Sequence, residues 1–294
     1  MYHKLLDFIG NTPLIEATRL VKNPNVKLLL KLEGNNPGGS LKDRAAYNMI
    51  KGALDRGEIK DGDKLIEATS GNTGIALAMI AQLLDIDIEL VLPENSTAER
   101  IQTMRAYGAK VTLTSSKTGI IGSRDYADQK VASGGYVMLN QFANEDNWKA
   151  HYKTTGPEIW RDTNKKVTHF VAAMGTTGTI MGTSTYLKEQ NPNIQIIGAH
   201  PSDGSQIPGI RKWPEAYLPK IFNKSKVDNI LEVSEADARK MTKRLANEEG
   251  IFAGMSSGGS VATAVKVAET LKSGIVVAIV CDRGDRYLSS DLFE

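Results

Sequence analysis

A lysine with the potential for nucleophilic chemistry stands at the start of a predicted helix. In the segment NNPGGSLKDRAAYNMIKGAL (residues 35–54), a glycine-rich turn and Ser40, the expected N-cap, precede Lys42 and the predicted helix Leu41–Arg56. The positive end of a helix dipole disfavours an ammonium group, but this effect of about 0.3–1 kcal/mol is smaller than the ~1.36 kcal/mol that shifts a pKa by one unit. Lys42 is therefore either a solvated surface cation or an amine whose pKa is lowered by burial or by a covalent partner.

Turns rich in glycine, serine and threonine recur after short β-rich segments. They are TSGNTG (69–74), MGTTGT (174–179), MSSGG (255–259) and CDRGD (281–285). We expect all of them at the carboxyl ends of strands, the edge at which open α/β sheets bind ligands. A single turn of this kind is expected in any α/β protein, whereas several rich in serine and threonine favour a binding site.

The turn GTTGT is the best candidate for binding a phosphate group. Its residues are Gly175, Thr176, Thr177, Gly178 and Thr179. Consecutive backbone N–H groups at the start of a helix bind anions, and glycine allows close approach. The turn lacks the lysine of a P-loop and the glycine order of a dinucleotide fingerprint. Because Lys188 is the first basic residue that follows, the phosphate would be held by neutral donors, which suits a small cofactor that stays bound.

Composition and charge restrict the classes of function that the chain can have. It has 294 residues, of which 41% are hydrophobic and 24% charged, so it can bury a large core in one or two domains. The net charge of +2 gives no indication of a nucleic-acid or anionic-membrane partner. The longest apolar run, Ile275–Cys281, is too short for a membrane span, and the interrupted apolar segment near residue 10 predicts no signal peptide.

The cysteine and histidine content leads to further expectations. The single cysteine, Cys281, excludes an internal disulfide and is typical of the reducing cytosol, so we expect a cytoplasmic protein. The histidines show no ligand spacing, and we expect no metal site. His169 lies in an apolar segment and is interpreted as a core residue. Cys281 is equally compatible with the core and with a place beside a bound cofactor.

Short β-rich segments alternate with helical patterns along most of the chain. The predicted strands are Val26–Leu32, Lys64–Ala68, Ile88–Leu92, Lys110–Leu113, Val167–Ala172, Ile194–Ala199 and Ile275–Val280. The predicted helices are Leu41–Arg56, Thr73–Leu84, Ala98–Tyr107, Gly122–Ala132, Thr177–Glu189, Glu235–Glu249 and Gly258–Lys272. This alternation predicts an α/β fold with a mostly parallel sheet covered by helices on both faces. The alternation of strands and helices is interrupted at residues 141–157, which we interpret as the crossing between two domains. Segment 202–226 has no periodicity and predicts a long functional loop.

Motifs of one known family occur along nearly the whole chain. They are IGNTPL (9–14), KLEGNNPGGSLKDRAA (31–46), EATSGNTGIALA (67–78), MRAYGA (104–109), TTGPEIW (154–160), GTTGT (175–179), IPGIRKWP (207–214) and EGIFAGMSSGG (249–259). Their order resembles that of the β-family (fold type II) of pyridoxal-phosphate enzymes, and within it the cysteine synthases. The segments GIRKWP and CDRGDRYLS are similar to the B-type subgroup.

The resemblance implies an architecture. Two three-layer α/β domains with mostly parallel sheets are expected, a smaller one of residues 36–145 and a larger one of residues 1–35 and 146–294. Pyridoxal 5′-phosphate would lie in the cleft between them, and the usual assembly would be a homodimer.

The resemblance also implies roles for single residues. Lys42 would carry the cofactor on its amine and act as the base for the α-proton, Asn72 would hydrogen-bond the cofactor's 3-oxygen, Gly175–Thr179 would hold its phosphate, and Ser256 would face the pyridine nitrogen. A hydroxyl group stabilises a protonated ring less than a carboxylate does, which favours β-elimination. The substrate carboxylate would be bound by Thr69, Ser70, Asn72, Thr73 and Gln141, and Arg211 would contact the substrate at the mouth of the site.

The implied reaction is a β-replacement. O-acetyl-L-serine would lose acetate, and sulfide or thiosulfate would add at Cβ to give cysteine or S-sulfocysteine. Within the family, cystathionine β-synthase, O-phosphoserine sulfhydrylases and serine/threonine dehydratases are alternatives. A non-catalytic regulatory protein that retains the cofactor is an alternative from a different class, and Arg211, Lys212 and Trp213 could equally form an ordinary surface loop.

Overall fold

The architecture consists of two sheets with helices packed against them. The computed structural model describes residues 4–69 and 71–294, so Ser70 lies outside the described residues. The larger sheet contains β1 (Leu14–Glu16), β2 (Val26–Leu32), β7 (His169–Ala173), β8 (Gln195–Pro201), β9 (Asn229–Val233) and β10 (Gly274–Val280). Their spatial order is β1-β2-β10-β7-β8-β9, and all neighbours are parallel except β1 and β2.

The smaller sheet is entirely parallel. It contains β3 (Lys64–Ala68), β4 (Ile88–Pro93), β5 (Lys110–Thr114) and β6 (Tyr136–Val137), in the order β5-β4-β3-β6. Central strand β4 is buried along its whole length, as expected for a parallel strand covered on both faces. The predicted α/β fold with mostly parallel sheets is confirmed.

The helices are α1 (Lys42–Asp55), α2 (Asn72–Leu83), α3 (Ala98–Ala106), α4 (Gly119–Ala132), α5 (Glu145–Lys153), α6 (Thr155–Asp162), α7 (Gly178–Gln190), α8 (Glu235–Glu249) and α9 (Met255–Thr270). Helices α2 and α9 are buried on nearly all sides, and their sequences are accordingly rich in alanine and glycine. Among the described residues, no helix is both long and apolar enough to cross a membrane.

Most predicted elements end within a few residues of the observed ones, but three local predictions are wrong. Ser40 is not the N-cap of α1, because it pairs with Asp282 in an isolated bridge and the chain enters the helix one residue later, at Leu41. The turn MSSGG does not follow a strand, because the preceding segment GIFAG makes only a single bridge, at Ala253. Helix α9 begins at Met255 and not at Gly258, whose missing Cβ lets the helix pack against the backbone of α8.

Several elements were not predicted. Helices α5 and α6 fill the region where the alternation breaks, and α5 has an N-cap, since the side chain of Asn144 accepts a hydrogen bond from the backbone N–H of Asp146 at 2.9 Å. Strands β1, β6 and β9 were also missed, two of them because they have only two or three residues. Segment 202–226 contains only two short 3₁₀ turns, so its prediction as a long loop is confirmed.

A buried ion network fixes α1, the helix that begins with Lys42. Arg44 donates to Glu33 through Nε at 2.7 Å and to Glu158 through Nη1 at 2.6 Å. The Lys31 ammonium, with a side-chain exposure of 0%, lies 2.8 Å from Glu158. Burial alone would raise the pKa of Glu158, but Arg44 and Lys31 outweigh it and lower this pKa to about 2. The network therefore joins α1 to β2 and α6 through charges that solvent cannot reach.

Removal of the central cation should destabilise the protein strongly. Arg44→Met leaves the buried carboxylate of Glu33 without its ion-pair partner and Glu158 with Lys31 alone, and we expect the free energy of unfolding to fall by about 3–5 kcal/mol in urea denaturation at pH 7. Lys51→Met on the same helix removes an exposed ion pair with Asp55 and serves as the control, with almost no change expected. Equal losses in the two variants would show that the network does not hold α1.

Candidate active site

The carboxyl ends of strands from both sheets face one cavity of about 180 Å³. Its lining includes most of the residues predicted from the sequence, namely Lys42, Thr69, Asn72, Thr73, Gln141, Gly175, Thr176, Arg211 and Ser256. A smaller inner pocket shares Lys42, Asn72, Gly175, Thr176 and Ser256 with this cavity, and adds Thr177, Thr179 and Cys281. The loops that follow β3, β6, β7 and β8 thus meet the first turns of α1 and α9 at one place.

Lys42 is the first residue of α1 and its side chain reaches both the cavity and the inner pocket. Its backbone N–H donates to Ser40 Oγ at 3.2 Å, and no described residue forms an ion pair with its ammonium group. Burial lowers the pKa of Lys42 below the usual lysine value, against smaller opposing effects of Cys281 and Asp282. The arrangement favours a neutral, nucleophilic amine.

The turn that precedes α7 contains a strained residue with an unsatisfied hydroxyl group. Thr177 has a left-handed backbone, with φ = 70°, and its buried Oγ1 has no hydrogen-bond partner among the described residues. A β-branched residue in this conformation costs about 1–3 kcal/mol, and an unpaired buried hydroxyl adds to that cost. Strain combined with an unused donor, at a helix N-terminus, is typical of an anion-binding turn.

A neutral histidine backs this turn. His151 Nε2 lies 3.3 Å from Thr179 Oγ1, and His151 Nδ1 lies 2.9 Å from Thr155 Oγ1. Burial, with a further contribution from Arg44, lowers the pKa of His151 to about 3, so the ring is uncharged at neutral pH. The turn therefore presents only neutral donors, as its sequence predicts.

The amide of Asn72 is oriented by two charged side chains. Its Nδ2 donates to Asp282 Oδ2 at 2.7 Å, and its Oδ1 accepts from Arg286 Nη1 at 2.8 Å. Asp282, which is only 1% exposed, also accepts from the Tyr287 hydroxyl at 2.6 Å. These contacts fix which end of the amide faces each neighbour and leave the second Nδ2 hydrogen for a ligand.

The residues predicted to bind a carboxylate are tied together by hydrogen bonds. Thr73 Oγ1 donates to Gln141 Oε1 at 2.8 Å. The Glu67 carboxyl at the end of β3 accepts backbone hydrogen bonds from residues 139–141, including Asn140 N at 3.2 Å. Burial raises the pKa of Glu67 to about 7, although these N–H groups and Arg124 oppose the shift. The buried carboxyl holds the loop that carries Gln141.

Ser256 and Cys281 lie beside each other at the inner end of the site. Ser256 is on the first turn of α9. The described residues that line the inner pocket include no aspartate or glutamate. Cys281 follows β10 and belongs both to the apolar core and to the pocket wall. The two interpretations from the sequence, a core residue and a residue beside a bound cofactor, are therefore both compatible with its position. Burial raises the pKa of the Cys281 thiol to about 12, so it is not an anionic nucleophile.

Comparisons with known proteins agree with this geometry. The family model for pyridoxal-phosphate dependent enzymes matches residues 5–282. Cysteine synthase B of Pseudomonas aeruginosa is 54% identical over 293 residues, covering 100% of this chain and 98% of that protein, and the Escherichia coli protein of the same name is 54% identical over 285 residues, covering 97% and 94%. The solved structure of cysteine synthase from Entamoeba histolytica superposes with a TM-score of 0.95 at 36% identity, covering 100% of this chain and 91% of that one.

The chain belongs to the pyridoxal-phosphate dependent enzymes. The cavity fits the cofactor of this family on two independent observations. The unpaired buried hydroxyl of Thr177 is a donor available to a phosphate group, and the packing of Gly175 against the Gly209 carbonyl, where a Cβ would collide, fixes the turn that carries it. At the other side of the inner pocket, Lys42 offers an amine without an ion-pair partner among the described residues.

Not every predicted site residue of this pyridoxal-phosphate dependent enzyme lines the cavity. Gly178 lies behind the turn, where a Cβ would strike the side chain of Asn147. Ser70 is outside the described residues, so its predicted role stays a prediction. Among the described residues, no cluster of histidine, cysteine and acidic side chains could hold a metal ion.

Other residues at the site were missed by the sequence analysis. They are the lining residues Arg100, Ile120, Phe142 and Tyr287, and the supporting residues Glu67, His151, Asp282 and Arg286. The sequence identifies CDRGDRYLS as a motif, but the spacing of its residues does not indicate that Asp282 and Arg286 orient Asn72. Glu67 and His151 are single polar residues between mostly apolar neighbours. This pattern is also typical of a core residue that is hydrogen-bonded to its surroundings, so it does not indicate a site.

A glycine at position 177 should relieve strain and weaken phosphate binding. In Thr177→Gly, the strain energy released at the left-handed backbone exceeds the entropic cost of glycine, which is about 0.5–1 kcal/mol. We expect the cofactor-free variant to be as stable as the wild type or up to about 1 kcal/mol more stable in urea denaturation, while its affinity for pyridoxal phosphate falls. Thr163→Gly is the control. Thr163 has a negative φ of −90°, so glycine relieves no backbone strain there and the variant should only lose stability. A clear loss of stability in Thr177→Gly would contradict the strain argument.

Proposed function

We propose that this enzyme makes L-cysteine and acetate from O-acetyl-L-serine and sulfide, and S-sulfocysteine when thiosulfate replaces sulfide. The cysteine synthases among its relatives support the substrate class. The observation that carries the proposal is one pocket in which the amine of Lys42 meets Asn72, the Thr177 turn and the neutral hydroxyl of Ser256.

The cofactor would be held by residues of both sheets. Lys42 would bind it covalently through its amine, Asn72 would donate to its 3-oxygen, and Ser256 would face its ring nitrogen. Its phosphate would be held by the turn of Gly175, Thr176, Thr177, Gly178 and Thr179. When bound, pyridoxal phosphate supplies an electron sink for negative charge at Cα of the amino acid. Because Ser256 brings no negative charge to the ring nitrogen, the site favours a brief carbanion and elimination over transamination.

The protein's own residues would bind the substrate and move its protons. The carboxylate of the amino acid would be bound by Thr69, Ser70, Asn72, Thr73 and Gln141. Once the amino group of the substrate has taken its place on the cofactor, the released amine of Lys42 would take the proton from Cα as acetate leaves Cβ. Hydrosulfide would then form the new S–C bond at Cβ, and Lys42 would return a proton to Cα. The hydrogen bonds from residues 139–141 to Glu67 support this arrangement, since they hold Gln141 beside Thr73.

Product analysis tests this function directly. The purified holoenzyme is given O-acetyl-L-serine with sulfide or with thiosulfate, and mass spectrometry follows cysteine, S-sulfocysteine and acetate. O-phosphoserine and serine with homocysteine are run in parallel to test the alternative enzymes of the family. Formation of cysteine and acetate in equal amounts supports the proposal. Turnover of only the alternative substrates, or of none, would overturn it.

Lys42 should be the lysine that binds the cofactor. We expect a yellow protein in which borohydride reduction attaches the cofactor irreversibly to the tryptic peptide that contains residue 42, because burial lowers the pKa of the Lys42 amine and this residue lines the pocket. Lys42→Ala should lose this labelling, whereas Lys51→Ala, on the same helix but exposed, should keep it. Labelling at another lysine would contradict the assignment.

Arg211 should distinguish the two sulfur donors. Its Cζ lies 5.5 Å from the ring centroid of Trp213, and its side chain lines the cavity. A charge-assisted hydrogen bond to an oxyanion is worth about 1.5–3 kcal/mol, and hydrosulfide has no oxygen to accept one. We therefore expect Arg211→Ala to lower kcat/KM for thiosulfate by roughly 10- to 100-fold and for sulfide much less. Lys212→Ala, which removes an adjacent charge paired with Asp203, is the control, and equal losses for both donors would refute the assignment.

We further infer that the two sheets are the centres of two domains, residues 36–145 and residues 1–35 with 146–294. The distribution of strands supports this division, since the smaller sheet draws all of its strands from residues 64–137. A homodimer remains a prediction from the family resemblance.

A further inference from the structure

One buried amide on α5 contacts two loops of the site. Asn147 is only 1% exposed, and its Nδ2 donates to the backbone carbonyl of Gln141 at 2.7 Å and to Thr176 Oγ1 at 3.2 Å. Gln141 belongs to the loop that is predicted to bind the substrate carboxylate, and Thr176 belongs to residues 175–179, which we call the phosphate turn. Asn147 is not among the described residues that line the cavity or the inner pocket, so its effect on a ligand passes through these neighbours.

The orientation of the Asn147 amide follows from its surroundings. The Gln141 carbonyl oxygen can only accept a hydrogen bond, so the amide atom that faces it must be the nitrogen. Asn147 Oδ1 has no hydrogen-bond partner among the described residues and lies where a Cβ of Gly178 would be. The glycine at position 178 therefore makes room for the amide. Because a buried oxygen without a partner is costly, the two donated hydrogen bonds are what determine this orientation.

The amide also determines what the Thr176 hydroxyl can do. A hydroxyl group has two acceptor sites and one donor hydrogen. Thr176 Oγ1 accepts from Asn147 Nδ2 and from the backbone N–H of Gly178 at 3.4 Å, so both of its acceptor sites are used. Its hydrogen is donated to no described residue, and Thr176 lines both the cavity and the inner pocket. The hydroxyl is therefore left as a donor toward the pocket, which is the polarity that an anion requires.

The same amide fixes the backbone of Gln141. The Gln141 carbonyl accepts from Asn147, and the Gln141 N–H donates to the buried Glu67 carboxyl at the end of β3. The side chain of Gln141 accepts from the Thr73 hydroxyl at 2.8 Å. Gln141 is thus held from three directions, and Asn147 links it to the phosphate turn.

Helix α5 is a firm support for both contacts. It packs closely against α7, where Gly182 has no Cβ that would strike the backbone of Trp148 and Tyr152. One helical turn after Asn147, His151 lies 3.3 Å from Thr179 Oγ1 and so contacts the phosphate turn a second time. A displacement of the phosphate turn would therefore be transmitted to Asn147 and from there to the backbone of the substrate loop.

We propose that Asn147 is a positioning residue that couples the phosphate turn to the loop of Gln141. Its amide donates both hydrogens, which directs the Thr176 hydroxyl toward the cofactor phosphate and holds Gln141 where the substrate carboxylate binds. This inference rests on the proposed function, since that function supplies the amino-acid substrate.

Cofactor binding tests the contact with Thr176. Full-length cofactor-free protein is titrated with pyridoxal phosphate and, separately, with pyridoxal, which has the same ring and aldehyde but no phosphate group. The variants are Asn147→Ala, Thr176→Val and the double variant. We expect each single variant to bind pyridoxal phosphate about tenfold more weakly and pyridoxal less than about threefold more weakly, because the phosphate loses an oriented hydroxyl donor. In the Thr176→Val background, Asn147→Ala should weaken binding of pyridoxal phosphate less than about threefold, because the hydroxyl through which it acts is absent.

Asn48→Ala is the matched control. Asn48 Nδ2 also donates at 2.7 Å to a backbone carbonyl of α5, that of Asp146, and none of its described hydrogen bonds reaches the phosphate turn or Gln141. We expect its cofactor affinity to stay within about twofold of the wild type. If Asn147→Ala does not fold, Asn147→Leu, which fills the space without a donor, replaces it. Equal losses with and without the phosphate group, losses no larger than in Asn48→Ala, or equal effects of Asn147→Ala in both backgrounds would overturn the inference.

Kinetics of the cofactor-saturated enzyme test the contact with Gln141. Asn147→Ala should raise KM for O-acetyl-L-serine about three- to tenfold and change kcat less than about twofold, because Gln141 binds the substrate but transfers no proton. Asn48→Ala should leave both constants unchanged. An unchanged KM in Asn147→Ala would overturn the coupling to the substrate loop. A wild type that makes no cysteine would instead overturn the proposed function, and the cofactor titrations would still test the role of Asn147.

Discussion

The proposed chemistry depends on one lysine whose amine loses its proton more readily than an exposed lysine does. A lysine at the start of a helix feels an unfavourable dipole, but that effect is too small to deprotonate it, and burial provides the larger shift. Lys42 is partly buried because the first turn of α1 is packed where loops of the two sheets meet. Cys281 and Asp282 oppose the shift, so the site balances a protein environment that favours the neutral amine against nearby groups that favour the cation.

The helix that begins with Lys42 is fixed by paired buried charges. Arg44, two residues further along, is held between Glu33 and Glu158, and this network fixes the helix against the larger sheet. Two charges removed from water are costly, and the short contacts offset that cost only when all partners are present. The same rule applies to Asn72, whose amide is oriented by one acid and one arginine. Buried ionic groups thus position several of the residues that line the pocket.

The sequence predicts those features that depend on local periodicity and on glycine-rich turns. The alternation of strands and helices indicates the parallel sheets, and the turn before α7 is found with its neutral donors. Contacts between distant parts of the chain could not be predicted, because no local pattern links Glu67 with residues 139–141 or Arg124 with Phe142. The start of α9 was placed too late because glycine and serine normally disfavour a helix, whereas here the close packing of Gly258 against α8 requires a glycine.

The pKa of Lys42 is the quantity that tests this account most directly. It can be measured in the cofactor-free protein by competitive acetylation of lysines over a range of pH, with mass spectrometry of the resulting peptides. Lys51 on the same helix is the internal reference, since its exposed ion pair with Asp55 raises its pKa. The account predicts that Lys42 titrates at a clearly lower pH than Lys51 and below the usual lysine value of about 10.4. Titration of Lys42 together with Lys51 would contradict it.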